Sequence, residues 1–219
     1  MALISKHRVA SCLVGVALAM GWQPARAGDT QASCPEPKLH HLCIAIEMVQ
    51  KDKTFTPHVL PIRVGTSVDF PNFDPIFHNA FSNYNGQLFD VGLYPPGSSR
   101  PVRFARPGVV RVFCNIHANM SAVIVVLNTP YFEATQKNGN FQVNNIPPGD
   151  YLLHVFHERA TQATLNSLTR RVTVSEGNVM LPVIGISESG YIVIPHHNKF
   201  GHDYNDAPDD GGIYPAVRK

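Results

Sequence analysis

The sequence predicts an all-β protein made of two consecutive β-sandwiches, and three observations lead to this prediction. The chain has 219 residues, and its 18 Pro and 16 Gly are scattered along it, which disfavours long helices. Few windows show the 3.6-residue apolar period of an amphipathic helix. Short apolar runs bounded by turn residues recur instead, at the spacing of sandwiches and barrels. With 44% hydrophobic and 16% charged residues, the chain is apolar enough to bury a core.

The first block of strands ends near Asn128 and defines a first domain over 28–128. Its apolar runs are separated by Pro-, Gly- and Asn-containing segments that favour turns. The candidate strands are 42–49, 59–64, 67–70, 102–105, 109–114 and 122–127.

A second, smaller sandwich is predicted over 129–186. Asn138-Gly139 lies between two strand-like runs, and Asn-Gly favours a tight hairpin because both residues accept positive φ. The segment 147–150, Pro-Pro-Gly-Asp, predicts another turn. The candidate strands are 131–136, 141–143, 151–157, 170–174 and 179–184, and a polar C-terminal tail follows over 187–219.

Residues 1–27 have the organisation of a cleaved export signal. Lys6 and Arg8 precede an apolar run over 9–20, and Ala-Arg-Ala over 25–27 fits a signal-peptidase site. The apolar run is too short to span a bilayer, so no membrane anchor is expected. Cleavage before Gly28 would leave 15 basic against 16 acidic residues. Without a clustered positive face, a nucleic-acid partner is not expected.

Three cysteines remain after such cleavage, namely Cys34, Cys43 and Cys114. In an oxidising compartment spare thiols tend to form disulfides, and an odd number leaves one unpaired. Cys34 and Cys43 are close enough in sequence to close a small loop. Cys114 would then be the unpaired residue, and binding of its thiolate to a metal would explain why it is present.

The richest chemical pattern is Val-Val-Arg-Val-Phe-Cys-Asn-Ile-His-Ala-Asn-Met over 109–120. On a strand, Cys114 shares the inward parity of Val110 and Val112. The loop that follows is short, so it should bring Cys114, His117 and Met120 together. Copper that cycles between Cu(I) and Cu(II) prefers a thiolate, imidazole nitrogens and a weak axial thioether. His78, in a turn after an earlier strand, is the candidate second imidazole.

These motifs resemble the plastocyanin-like cupredoxins over about 40–128. The resemblance rests on CxxHxxM after the GVVRVF strand and on PNxDPxxHN upstream, and it is greatest to periplasmic members labelled methylamine-utilisation proteins. It implies a Greek-key cupredoxin sandwich in the periplasm that carries electrons and is not an enzyme, with a dehydrogenase or cytochrome as partner. It also implies that Asn79 ties the two ligand loops together. The implied ligands of a type 1 copper site are His78, Cys114, His117 and Met120.

Two further similarities qualify this assignment. The HxxM spacing is shorter than in most plastocyanin-like loops and resembles the dinuclear copper site of cytochrome oxidase, but the bridging CxxxC is missing. The second block, over 129–186, resembles the transthyretin-like or carboxypeptidase-regulatory-like sandwich. That resemblance implies a role in contact or spacing and no chemistry.

Other functions remain open at this point. The same residues could serve copper delivery, storage or sensing, with His196, His197 and His202 collecting the metal. The chain could also be a scaffold whose first domain has lost its metal. A cysteine hydrolase using Cys114 and His117 is disfavoured because a second histidine and a thioether would have no role in it.

Overall fold

The computed structural model describes residues 2–6, 45–83, 86–192 and 196–204, and nearly all of its regular structure is β. The all-β prediction is confirmed. In these ranges lie the short helix α1 (Gln162–Leu168) and the strands β1 (Ala2–Lys6), β2 (Ile46–Glu47), β3 (Val49–Lys51), β4 (Thr54–Thr56), β5 (Val59–Arg63), β6 (Ser67–Asp69), β7 (Phe81–Ser82), β8 (Phe89–Asp90), β9 (Pro101–Arg103), β10 (Gly108–Phe113), β11 (Ser121–Leu127), β12 (Phe132–Glu133), β13 (Gly149–Val155) and β14 (Arg170–Val174).

Two sheets enclose the first hydrophobic core. One has the strand order β5-β11-β10-β7-β8, the other has β2-β6-β9, and β3 pairs with β4 in a separate hairpin. Strands β10 and β11 are antiparallel neighbours, with Val110 opposite Ile124. Alternate side chains of a strand point to the same face, and Val110 and Val112 accordingly lie in the core with Val68 of the other sheet. The ligand loop is the connection between β10 and β11.

In addition to these sheets, the chain forms a four-stranded sheet of order β12-β1-β13-β14, which is called the second sheet below. Tyr151 and Leu153 of β13 are buried on one face, as the alternation of a half-buried strand predicts. The partly buried side chains that pack on them are Tyr131, Phe141, Ile146, Val172, Val174, Leu181 and Ile184. Strand β1 falls within the predicted signal peptide, which otherwise lies outside the described residues.

Several predicted elements of this region are wrong or incomplete. Segments 141–143 and 179–184 form no strand, although Phe141, Leu181 and Ile184 still pack on the core. Pro182 lies in the second segment and has no N–H to donate to a sheet. The sequence patterns do not predict helix α1. It begins after Thr161, whose hydroxyl accepts a hydrogen bond from the Thr164 N–H, the usual way in which Thr caps a short helix.

Truncation of Leu153 tests whether the apolar cluster around Tyr151 and Leu153 is a packed core. Leu153 is 0% exposed, so Leu153→Ala is expected to lower the free energy of unfolding by about 2–5 kcal/mol. Val183 is 97% exposed, and Val183→Ala should change it by no more than about 0.5 kcal/mol. Urea unfolding of both variants makes the comparison, and equal small losses would contradict a packed cluster at Leu153.

Polar contacts link the first group of strands to the loop after β13. His58 Nε2 hydrogen-bonds the Glu158 carboxylate, its Nδ1 lies 3.1 Å from the Ser121 carbonyl oxygen, and Arg111 lies 3.5 Å from Glu158. The bond to Glu158 raises the pKa of His58 above its ordinary 6.5 despite partial burial. The same bond lowers the pKa of Glu158 below 4.5.

These shifts predict a pH-dependent contribution to stability. The raised pKa of His58 means that its contribution is complete below pH 6.5 and is lost as the pH rises through the folded-state value. The lowered pKa of Glu158 means that its contribution is complete above pH 4.5 and lost at lower pH. Wild type should therefore lose more stability than His58→Gln between pH 6 and pH 8, by under about 1 kcal/mol because the pair is partly exposed. Urea titrations at both pH values measure this, and parallel losses would refute it.

Candidate metal centre

The ligand loop begins where β10 ends at Phe113 and finishes where β11 begins at Ser121. Two backbone bonds close it, from Cys114 N to Met120 O at 3.1 Å and from Met120 N to His117 O at 3.1 Å. Cys114 and Met120 are 0% and 1% exposed, and both belong to the first core. Because adjacent antiparallel strands anchor both ends, the loop holds its side chains at one end of the sandwich.

His78 is brought to the same end by a separate pair of backbone bonds. Its N–H donates to the Tyr94 carbonyl at 3.2 Å, and the Tyr94 N–H donates to the His78 carbonyl at 2.9 Å. The imidazole is completely buried, and its ring centroid lies 4.8 Å from that of His117. The structure therefore brings together two histidines that are far apart in sequence.

The sulfur and the two imidazole nitrogens are close enough to share one metal ion. Cys114 Sγ lies 3.8 Å from His78 Nδ1 and 3.5 Å from His117 Nδ1, and the three atoms all lie within 4.8 Å of one another. Bonds of about 2.0 Å to nitrogen and 2.3 Å to sulfur, at tetrahedral to trigonal angles, put sulfur and nitrogen about 3.5 to 3.7 Å apart. The two sulfur–nitrogen distances agree with one shared metal ion.

The surroundings of the sulfur suit a bound thiolate. Burial raises the pKa of the Cys114 thiol, and the backbone N–H groups of Ile116, Asn79 and His117 oppose that rise. Hydrogen bonds from N–H groups favour the charged form of an acceptor. The sulfur is therefore desolvated but already faces three donors that stabilise its anion once a metal replaces the proton.

The tautomer of His78 is set by Asp74, a residue to which the sequence patterns assign no role. Asp74 Oδ2 lies 2.7 Å from His78 Nε2, so the proton is held on Nε2. The unprotonated Nδ1 faces the sulfur with its lone pair available to a metal. Burial lowers the pKa of His78 more than the Asp74 carboxylate raises it. A neutral imidazole is the form that binds a metal.

Asp74 is itself fixed by the β3–β4 hairpin. The turn residues Asp52 and Lys53 have φ of 53° and 54°, as in a two-residue hairpin loop, and their N–H groups donate to the Asp74 carboxylate at 2.7 and 2.9 Å. Burial would raise the pKa of Asp74, but these bonds and the one from His78 hold it below its ordinary value. The signal in the sequence was a carboxylate four residues before a candidate ligand.

The donor set fits copper. A buried thiolate with two imidazole nitrogens matches the trigonal arrangement of copper electron-transfer sites, and the sulfur favours a soft ion. His78, Cys114 and His117 would hold the ion. Met120 is buried in the same core and bonded into the same loop, and its part as axial ligand stays a prediction.

Asn79 makes contacts on two sides. Its backbone N–H faces the Cys114 sulfur, while its side-chain amide donates to Asp90 Oδ1 at 2.7 Å and to the Gly92 carbonyl at 2.9 Å. The side-chain oxygen of Asn79, Oδ1, is buried without a hydrogen-bond partner among the described residues. A direct side-chain tie from Asn79 to the second ligand loop stays a prediction.

None of the remaining candidates that the structure describes belongs to this three-residue cluster. Cys34 and Cys43 fall outside the described residues, so their disulfide stays a prediction. His196 stacks on Phe113, and His197 pairs with Asp203 at 2.9 Å. In the described ranges, His78, Cys114 and His117 form the one cluster of at least three His, Cys, Asp or Glu residues with metal-binding geometry. No helix in those ranges is long and apolar enough to cross a membrane.

Solved structures of cupredoxins match part of the chain, whereas no protein-family profile and no curated protein matches it. A Cu-containing nitrite reductase from Thermus scotoductus SA-01 is 27% identical over 38% of this chain and 22% of its own, with a TM-score of 0.37. A purple cupredoxin from Nitrosopumilus maritimus is 26% identical over 37% of this chain and 99% of its own, with a TM-score of 0.35. A reduced Cu(I) form of an amicyanin variant is 19% identical over 38% of this chain and 82% of its own, with a TM-score of 0.36. The chain thus spans less than a quarter of the nitrite reductase, and the assignment of its metal centre rests on the distances above.

Proposed function

We propose that this protein binds one copper ion through His78, Cys114 and His117, with Met120 as axial ligand, and carries single electrons. The observation that supports this most is the convergence of the three donor atoms within 4.8 Å. Copper in such a site supplies a one-electron couple between Cu(II) and Cu(I). The residues around the ion determine how readily copper changes between these two oxidation states.

The chain holds its ligands in a fixed arrangement, which favours electron transfer. Cys114 and His78 are wholly buried, Asp74 orients His78, and backbone bonds close the ligand loop. Because these restraints come from the fold, the side chains need to move little when the oxidation state changes. A small rearrangement on gaining or losing an electron is what a carrier requires.

His117 provides the connection to solvent. It is partly exposed, whereas the other two donors are buried. A redox protein that docks there would approach the metal through one imidazole ring. In this proposal the partner is a periplasmic dehydrogenase or cytochrome, and the protein has no catalytic residues of its own.

The proposal extends to the remainder of the chain. Residues 1–27 would direct export to the periplasm and be removed before Gly28, which would take β1 out of its place between β12 and β13. Residues 28–128 would form the copper domain. A transthyretin-like module over 129–186 would serve contact or spacing, followed by the tail over 187–219. The intact mass of protein purified from a periplasmic extract tests the cleavage, and a chain that still begins at Met1 would contradict it.

Loading the purified protein with Cu(II) tests the main proposal. A thiolate ligand should give intense visible absorption and an electron paramagnetic resonance spectrum with the narrow hyperfine splitting of a covalent copper–sulfur bond. Reversible reduction and slow loss of copper to a chelator are the result expected of a carrier. Rapid loss of copper would favour copper delivery instead. A colourless protein would contradict both the carrier and the delivery function.

A further inference from the structure

The C-terminal segment 196–204 packs against the metal centre and contacts both ligand loops. The Lys199 backbone N–H donates to Asn115 Oδ1 at 2.8 Å, next to the ligand Cys114. The Lys199 ammonium donates to Asp90 Oδ2 at 2.8 Å. Asp90 Oδ1 accepts from the amide of Asn79, next to the ligand His78. A continuous chain of hydrogen bonds thus joins the two ligand loops through Lys199.

Tyr204 makes a second and more direct contact. Its hydroxyl donates to the backbone carbonyl of Cys114 at 2.6 Å. The carbonyl of Cys114 lies at the point where the chain leaves β10 and enters the ligand loop. Tyr204 is therefore bonded to the backbone of the residue that supplies the sulfur.

His196 completes the packing of this segment. Its ring stacks on Phe113 with 4.1 Å between centroids and 18° between planes, and the ring of Tyr204 lies 5.1 Å away at a steep angle. Phe113 is the last residue of β10. The segment is thus anchored to the strand on one side of the loop and to the loop itself.

We infer that Lys199 and Tyr204 are positioning residues of the copper site, which tie the His78 and Cys114 loops together and slow the release of the metal. The sequence predicts a polar tail here, whereas the structure assigns this segment to the site. Neither residue touches the metal donors. They act on the backbone and neighbours of the ligands, so they should affect how long the loops stay closed.

This inference rests on the proposed copper site, and the test separates the two. The variants are Tyr204→Phe, which removes only the hydroxyl, and Lys199→Ala, which removes the ion pair but keeps the backbone bond. Tyr191→Phe is the matched control for the first, since the ring of Tyr191 lies under the Arg159 side chain. Lys137→Ala, at an exposed turn position, is the control for the second.

The readout is the rate at which copper-loaded protein loses copper to an excess of chelator, followed by the visible absorption. Tyr204→Phe should lose copper about fivefold faster than wild type, as expected for one lost hydrogen bond. Lys199→Ala should lose it about twofold faster, because the ion pair is partly exposed. Both controls should release copper at the wild-type rate.

A general loss of stability is distinguished by Leu153→Ala, which weakens the core of the second sheet without touching the site. If Leu153→Ala releases copper at the wild-type rate while Tyr204→Phe is faster, the positioning role is supported. If Tyr204→Phe matches Tyr191→Phe, or if Leu153→Ala accelerates release as much, the inference is overturned. Absence of thiolate-to-copper absorption in wild type would instead overturn the copper site itself.

Discussion

Cys114→Ser protein is expected to lose the visible absorption and narrow hyperfine splitting of copper-loaded wild type completely. Serine keeps the size of the side chain but offers a hard oxygen whose proton is far more tightly held than that of a thiol. The two imidazoles of His78 and His117 would remain, so some copper could still bind without the covalent sulfur bond. Absorption and electron paramagnetic resonance spectra of the loaded proteins measure the difference.

The same pair of proteins should differ in their thermal response to copper. A ligand that binds only the native state stabilises it, by about 2.7 kcal/mol when its concentration is a hundred times the dissociation constant. The melting temperature of wild type should therefore rise when copper is added, and that of Cys114→Ser should rise much less. Met180, which is 88% exposed, gives a control in Met180→Leu that should respond as wild type does. A Cys114→Ser protein that keeps the colour would show that another residue supplies the sulfur.

The second large effect is expected from Asp74→Asn. Asparagine is nearly isosteric, but its amide group would face N–H donors where the carboxylate now accepts three hydrogen bonds, from Asp52, Lys53 and His78. The orientation of His78 would be lost with the bonds. Changes in such supporting groups typically lower metal affinity about 10- to 100-fold, and competition with a chelator of known affinity measures the loss.

Asp74→Asn should also raise the reduction potential. The carboxylate is ionised, and its negative charge lies one imidazole ring away from the metal position, where it favours Cu(II) over Cu(I). Removing the charge therefore favours the reduced state. Asp150→Asn is the control, because Asp150 is exposed and bonds Thr173 in the second sheet, and its potential should equal that of wild type. An unchanged or lower potential in Asp74→Asn would contradict the role of the carboxylate.

The parts of the site that sequence could predict are those in which local geometry and metal chemistry coincide. Strand parity put Cys114 on the inner face with Val110 and Val112, and all three are buried. The short loop predicted that His117 would lie near the sulfur, and it does. His78 could be predicted because a thiolate with a single imidazole is an incomplete set of ligands, although nothing local showed where its ring would point.

The parts that sequence could not predict depend on contacts between distant segments. Asp74 matters because the turn at Asp52 and Lys53 presents two N–H groups to it, and no periodicity indicates that meeting. Lys199 and Tyr204 lie far along the chain from Asn115 and Cys114. In the second sheet, the apolar content of 179–184 suggested a strand, but pairing also requires backbone donors, which Pro182 lacks.

The proposed copper ligands are unevenly distributed along the chain, and this bears on assembly. Cys114, His117 and Met120 lie within one loop, so even an unfolded chain holds them close together, whereas His78 joins them only when the strands around Phe81 and Phe113 have paired. Closing that long intervening segment costs chain entropy that the short loop does not. An unfolded chain can therefore offer copper an incomplete site, and full occupancy should report on the folding of the whole first sandwich.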